Sequence, residues 1–484
     1  MVRHGRRGGP CDKVRASARR LVEGDGAGLR ELLPPERVAA AVEAEGIKFI
    51  DCLFTPVVTL WAFLAQVLGP DRSCRAAVAK LLALLGARGA GDGNDGDGAL
   101  CQPDTGPYCK ARQRLPERLL SRLTREAGAD LHRKYPAGRL LGGRPVKVVD
   151  GTTVSMPDTP ANQAAWPQPS TQKPGLGFPL MRLVAVMSLS CAAVLGLAVG
   201  PCKGKRTGET ALFRALLDGG DNVLTAGDVL LADRYFASYW MIALLLARGV
   251  DSLFRQHQLR TIDFRRGTRL GKDDHVVTMT RPAQRPQWMD EATYARMPAE
   301  LAVREVRVRV AVRGFRVRSL VLVTTLLDAE LYSKDEIARA FRCRWHAELD
   351  LRAIKRTMGM SVLRCKTPDM VRKEVWMHLL AYNLIRTVMA EAATRAGVEP
   401  REISFAGALQ TLDAFSPALR LAGGRDLPRL WAMLLRAVAR HRVGDRPDRH
   451  EPRAVKRRAK PIALLTVPRQ QARKRLTRAA GTRG

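Results

Sequence analysis

The sequence predicts an α/β domain interrupted by a β-rich insertion, preceded by an all-α segment and followed by helices and a basic tail. Three observations carry this. Between Pro145 and Phe254, short apolar runs alternate with helical stretches, which is the rhythm of an α/β sheet. Between about 255 and 325 the texture changes to period two, as in Val303-Arg304-Glu305-Val306-Arg307-Val308-Arg309-Val310, which reads as antiparallel strands with a basic, exposed face. On either side of these regions the apolar residues recur at helical spacing. The boundaries that follow are 1–140 helical, 141–254 and 326–395 as the two parts of the α/β domain, 255–325 as the insertion, and 396–484 as helices and tail.

The elements follow in order. Thr55-Pro56 is an N-cap with proline at the first helical position, opening an apolar run that ends at Leu68 before Gly69-Pro70. A helix over Cys74 to Leu85 leads into a Gly-rich linker, 86–98. Its Asp92 to Gly98 stretch imitates a calcium loop, but the fifth and twelfth positions fall on Gly96 and Pro103, where a carboxylate is needed. Tyr108 to Pro116 is a basic helix stopped by proline, and Leu119, Leu120, Leu123 and Leu131 give the next helix an apolar side. Two short helices with Lys110, Arg112 and Arg114 suit phosphate contacts, although a helical cap with a solvated basic face has the same spacing.

The strand Val146 to Val149 ends in Asp150, and Leu183 to Gly200 reads as two buried strands joined near Ser190 to Ala192. That stretch holds 18 uncharged residues, but its central serines and the basic residues on both flanks argue against a membrane span. A helix over Glu209 to Leu217, the strand Val229 to Ala232 ending in Asp233, a helix over Ser238 to Arg248 and the strand Asp251 to Phe254 complete the first part. Ser333-x-x-Glu336 opens a long helix that Gly359 stops, and Val371 to Ala393 forms another.

Composition narrows the function. The chain has 484 residues, 46% apolar and 26% charged, which excludes a disordered chain. Its 81 basic against 47 acidic side chains leave a net charge of +34, pointing to a polyanion such as nucleic acid, though biased codon usage also enriches arginine. Residues 440–484 alone carry 15 Lys/Arg against 3 acids. Nine cysteines without a C-x-x-C pair and eight histidines without H-E-x-x-H give neither a disulfide framework nor a zinc site. The basic start has no apolar signal region, so a cytoplasmic setting is expected.

Asp150 and Asp233 each follow an apolar strand, which puts a carboxylate at the rim where open α/β sheets bind ligands. Asp228 precedes its strand and belongs to the opposite edge. On the helix after Ser333, Phe341, Arg344, Glu348 and Lys355 fall within an arc of roughly 60°, with Trp345 beside them and Asp350 on the far side. An ordinary surface ion pair explains Arg344 and Glu348 but leaves Trp345 unexplained on a solvated face.

Phe341-x2-Arg344-x3-Glu348-x6-Lys355 resembles the Y-x2-R-x3-E-x6-K signature of bacterial DDE transposases of the insertion-sequence class IS-four, with phenylalanine in place of tyrosine. Val148-Val149-Asp150-Gly151-Thr152-Thr153 and Leu231-Ala232-Asp233-Arg234-Tyr235-Phe236 look like the family's first two acidic motifs, and the likeness covers most of the chain. The resemblance implies an RNase H-like catalytic domain with a β insertion. It implies Asp150, Asp233 and Glu348 as catalytic ligands of two Mg²⁺ ions, with Mn²⁺ able to substitute, and Arg344 and Lys355 at DNA phosphates. The partners it implies are double-stranded DNA at element ends and target, bound by a homodimer in the synaptic complex, with no membrane. Trp288 in the insertion is either a base-stacking residue or a core one. Two other readings stand beside an active transposase: a catalytically silent DNA-binding derivative and an RNase H-like host nuclease. The intact acidic triad argues against the first, and the large helical segment with the insertion argues against the second.

Overall fold

The computed structural model describes residues 32–49, 53–87, 104–135, 140–220, 222–309, 319–422, 425–444 and 463–481. Residues 88–98 of the Gly-rich linker, with its calcium-like stretch, and 445–462 of the tail lie outside them. The chain begins with α1 (Pro35–Ala44), α2 (Pro56–Leu68), α3 (Cys74–Ala87), α4 (Gly106–Arg114) and α5 (Glu117–Lys134). Next come β1 (Val146–Ser155), α6 (Pro160–Ala165), β2 (Leu180–Ser188), β3 (Val194–Pro201), α7 (Glu209–Asp218), β4 (Val229–Ala232), α8 (Tyr239–Leu246) and β5 (Asp251–Arg255). The insertion holds β6 (Thr268–Gly271), β7 (Asp274–Thr280), α9 (Glu291–Arg296), β8 (Glu300–Arg309) and β9 (Ser319–Thr324). Then follow α10 (Lys334–Arg342), α11 (Trp345–Arg352), α12 (Pro368–Ala396), α13 (Phe405–Leu421), α14 (Leu427–Arg440) and α15 (Arg469–Gly481). The described part of the tail is therefore helical over its last stretch, with Arg469, Arg473, Lys474 and Arg475 exposed.

The elements fall into two compact units. One comprises 1–135, 191–195 and 350–443; the other comprises 136–190, 196–349 and 444–484. The helical unit is organised on α12, whose apolar residues from Met370 to Ala393 are buried around most of its circumference. Such an all-round apolar helix must be surrounded. Thr367-Pro368 opens it, and Gly397 at φ 66° closes it in the left-handed conformation that glycine adopts without strain. Asn383 of α12 donates to the carbonyls of Thr124 and Val194 and accepts from the Val194 N–H, so its amide is fully used. A Cβ at Gly128 would lie 2.9 Å from the Asn383 Nδ2, and only glycine permits that approach.

The second unit is built on one nine-stranded mixed sheet in the order β3-β2-β1-β4-β5-β9-β8-β7-β6. β1, β4 and β5 are parallel to one another, and the remaining pairs given by register are antiparallel. The insertion strands therefore extend the same sheet, because β9 pairs directly with β5. The basic face expected of Val303 to Val310 is not wholly exposed. Arg304 is 1% exposed and holds Asp274 through two bonds of 2.8 and 2.6 Å, so its charge is matched inside the sheet. Asp228 is also internal: Lys147 donates to it at 2.6 Å and Thr225 at 3.1 Å, so it serves as a buried counter-ion.

Candidate active site

Asp150 lies within β1 and not at its end. The strand continues to Ser155 because β2 pairs with it along that whole length, from Lys147↔Ser188 to Ser155↔Leu180. On the other edge, parallel pairing with β4 stops at Val148↔Leu231, since β4 is only four residues long. Two residues past that last pair stand Asp150 on one strand and Asp233 on the other, so the register sets the two acids level. Asp233 directly follows β4 and caps the turn after it, its Oδ1 accepting from the Arg234 N–H at 2.7 Å. Asp150 Oδ1 likewise accepts from the Gly151 N–H at 2.9 Å.

The single helix expected from Ser333 to Gly359 is broken in two places. Ser333 caps α10 as its motif predicts, the hydroxyl accepting from the Glu336 N–H. After Arg342 the chain tightens: Cys343, Arg344, His346 and Ala347 each donate to the carbonyl three residues back, at 2.9 to 3.1 Å. After Arg352 it loosens into a π turn, with Met358 donating to Ala353. Overwinding before Glu348 and underwinding after it replace the uniform 100° step on which the arc of Phe341 to Lys355 depends. Phe341 is buried, which fits a core role for the aromatic ring. Lys355 sits on the π turn in the helical unit, half-buried, and burial beside Arg356 holds its pKa below the usual lysine value.

Arg344 connects the helix to the sheet. Its guanidinium lies 3.8 Å from Asp150 Oδ2 and 3.1 Å from Glu348 Oε1, with its own side chain 16% exposed. Burial pushes the Asp150 carboxyl up to about 6; Arg344 and the Gly151 N–H oppose the rise, and the charges of Glu348 and Glu209 add to it. Glu209 is the site residue that sequence reasoning missed. It begins α7, and its side chain lies against Gly151; no motif or spacing in the sequence links it to Asp150.

The donor set consists of oxygen ligands alone, which suits a hard divalent cation. Glu348 and Glu209 both disfavour ionised Asp150, so the site is rich in negative charge and Arg344 is its counter-charge. Among the described residues no three His, Cys, Asp or Glu side chains converge tightly enough to hold one ion in this conformation, and Arg344 stands between Asp150 and Glu348. Two aromatic side chains adjoin these acids in sequence and are open to solvent, Tyr235 at 64% and Trp345 at 48%. Trp288 has one face covered by the Arg214 guanidinium of α7, 3.9 Å from the ring centre.

Of the N-terminal cations, Lys110 and Arg114 are exposed. Arg112 is not available to a phosphate. It is 7% exposed, bonded to Gln66 Oε1 at 3.1 Å and Cys74 Sγ at 3.0 Å, with its plane over Phe63 and Tyr108. Once desolvated by that packing, the guanidinium works as a core group.

A mixed sheet with acids on adjacent strands and a glutamate brought to them from a helix defines an α/β protein with a carboxylate-centred site. Residues 141–384 match the family model described as "Transposase DDE domain". The chain is 30% identical over 373 residues to the transposase InsG for insertion sequence element IS4 of Escherichia coli (strain K12), covering 75% of this chain and 78% of that protein. A shorter match, 32% over 69 residues, is to the putative transposase InsL for insertion sequence element IS186A of the same organism, over 14% of this chain and 19% of that one. A piggyBac transposase in a synaptic complex with hairpin DNA gives a TM-score of 0.40 at 10% identity, over 90% of this chain and 88% of that one, too slight a likeness to bear on the fold. The chain belongs to the DDE transposase family. Its activity is DNA transposition, with the DNA cleavage and strand transfer that the family implies. No helix among the described residues is long and apolar enough to cross a membrane.

Proposed function

We propose that this transposase cuts phosphodiester bonds at the ends of an insertion sequence and joins the freed 3′-OH to target DNA, with Asp150, Asp233 and Glu348 as its catalytic carboxylates on an RNase H-like core. The observation that carries the reading is the Arg344 guanidinium, which ties Glu348 of a helix to Asp150 of the sheet, beside an Asp233 set level by strand register. Asp150, Asp233 and Glu348 would hold two divalent ions, Mg²⁺ with Mn²⁺ as a substitute, which when bound activate the attacking oxygen and stabilise the leaving one. Asp150, on the strand beside Asp233 and tied to Glu348 through Arg344, would be the ligand the ions share. Arg344 neutralises Asp150 and Glu348, and its guanidinium fork would contact a DNA phosphate near the scissile bond. Lys355 supplies a second cation for the backbone.

In this reading the helices of 1–140 recognise the element ends through exposed Lys110 and Arg114, and the basic tail adds sequence-independent attraction. The catalytic parts are 141–254 and 326–395, separated by the insertion 255–325 and followed by the helical region and tail of 396–484, and two copies act in the synaptic complex within the cytoplasm. The test is cleavage of end DNA by Asp150→Asn, Asp233→Asn and Glu348→Gln, with binding measured in parallel. Each should abolish cleavage and leave binding within a few-fold of wild type. Retained cleavage in any of the three, or equal loss of binding and cleavage, would remove that residue from the catalytic set.

A further inference from the structure

We infer that Arg234, the residue after Asp233, binds a DNA phosphate beside the catalytic carboxylates, and that Gln258 of the insertion positions its guanidinium for that contact. The inference rests on the proposed role of Asp233 and adds a residue to the same site. Arg234 is half-buried and donates from Nη1 to Gln258 Oε1 at 2.7 Å. Its Nε makes no hydrogen bond, and among the described residues no carboxylate lies within ion-pair distance of it. Elsewhere in the same unit a guanidinium withdrawn from water is matched by acids, Arg304 by Asp274 and Arg344 by Asp150 and Glu348. Arg234 therefore keeps its charge uncompensated next to an acid of the site.

Gln258 orients that charge without neutralising it, because its amide oxygen accepts a hydrogen bond and carries no formal charge. It stands in the turn after β5, and one buried carboxylate ties both ends of that turn. Glu305 Oε1 accepts from Gln256 Nε2 and from Arg260 Nε, each at 2.8 Å, on either side of Gln258. Within the turn the Arg260 N–H donates to the His257 carbonyl at 3.1 Å. Glu305 is 2% exposed, and its Oε2 lies 3.0 Å from His275 Nε2, so both of its oxygens are held. At its other end Arg234 is fixed to the acid, since its N–H donates to Asp233 Oδ1. The guanidinium lies 5.8 Å from the centre of the Tyr235 ring, which is 64% exposed, so it stands at the solvent edge of the fold. A guanidinium with Nη1 pinned to a rigid turn and Nη2 unengaged is a prepared donor for phosphodiester oxygens.

The test is binding of the full-length protein, in chelator, to end DNA whose phosphates near the cleavage position are replaced one at a time by neutral methylphosphonates. Arg234→Ala should weaken binding to unmodified end DNA on the order of tenfold and lower the salt slope by about one. One methylphosphonate should cost wild type a similar factor. At that position Arg234→Ala should lose nothing further, while at the others it loses as wild type does. Arg234→Lys, which keeps the charge without the fork, should fall between. Gln258→Glu should weaken binding as Arg234→Ala does, because the new carboxylate claims the guanidinium, and Gln258→Ala should weaken it less. Circular dichroism melts confirm that each variant is folded. If Arg234→Ala binds as wild type does, or loses further at every methylphosphonate, while Asp233→Asn abolishes cleavage, the role of Arg234 is overturned and the site reading survives. If Asp233→Asn cleaves as wild type does, the site reading fails and takes this inference with it.

Discussion

Asp350 follows Glu348 by two residues, and helical spacing alone makes it a far-side carboxylate whose loss should be nearly neutral. The structure argues the reverse. Asp350 is 1% exposed, with Oδ1 2.6 Å from an Arg386 nitrogen and Oδ2 2.9 Å from Arg401. Arg386 is itself 6% exposed, held by the Tyr382 hydroxyl at 2.9 Å and lying over the Tyr382 and Phe405 rings. One negative charge thus serves two guanidinium groups inside the helical unit. Asp350→Asn keeps the shape but removes that charge and turns an NH₂ donor toward groups that only donate. Breaking a buried pair by removing one partner costs about 3–5 kcal/mol. For a unit of this size that lowers the melting temperature by roughly 6–20 °C. Thermal unfolding of the full chain by circular dichroism measures it. Asp350→Leu combined with Arg386→Met should recover much of the loss, since the charges leave together. Cleavage per folded molecule at low temperature should be near wild type. An Asp350→Asn protein within about 1 kcal/mol of wild type would refute the reasoning.

Four further outcomes follow from the geometry. Asp150 titrates near 6 in the fold against 3.8 in a free chain, so its ionisation destabilises the protein; the stability it contributes is complete below 3.8 and is lost as the pH rises through about 6. In chelator, Asp150→Asn should therefore be more stable than wild type by up to roughly 3 kcal/mol above that range and no more stable near pH 4, as urea unfolding at the two pH values would reveal. Arg344→Ala leaves Asp150 and Glu348 without their shared cation, and should lower stability at pH 8 by about 1–3 kcal/mol while lowering it less at pH 5. Arg112→Ala should unfold the protein several degrees earlier because a buried guanidinium is lost, whereas Lys110→Ala with Arg114→Ala should leave the melt unchanged and weaken binding to end DNA more than to random DNA. Deleting the tail beyond 444 should weaken binding to both DNAs by similar factors and flatten the salt dependence.

The contrast between Arg112 and its neighbours locates what a linear sequence carries. Lys110, Arg112 and Arg114 alternate along one short helix and look alike, but Arg112 finds Gln66, 46 residues away, and becomes core. Arg304 and Asp350 are buried for the same reason: periodicity names a face, and only the packed chain decides whether that face meets water or a buried counter-charge. Apolar runs suffer less. Val146, Val148 and Val149 announce β1, and Val229 to Ala232 announce β4, because burial on both faces leaves no alternative for such runs. What they do not announce is register. Asp150 was legible as an acid beside a strand, yet its exposure to Asp233 comes from β4 stopping two residues short while β2 carries β1 on to Ser155. The signature helix makes the same point at finer scale. The spacing from Phe341 to Lys355 is a sequence fact, but the tight step at Cys343–Ala347 and the π turn after Arg352 are set by hydrogen bonds that no residue type dictates. The contact of Arg344 with Glu348 is the i,i+4 step already present in the pattern, but the approach of Arg344 to Asp150 is a property of the fold and not of the four-residue pattern. Glu209 is the limiting case. It enters the site only because a glycine two strands and a helix earlier leaves room for it, and that relation exists in three dimensions alone.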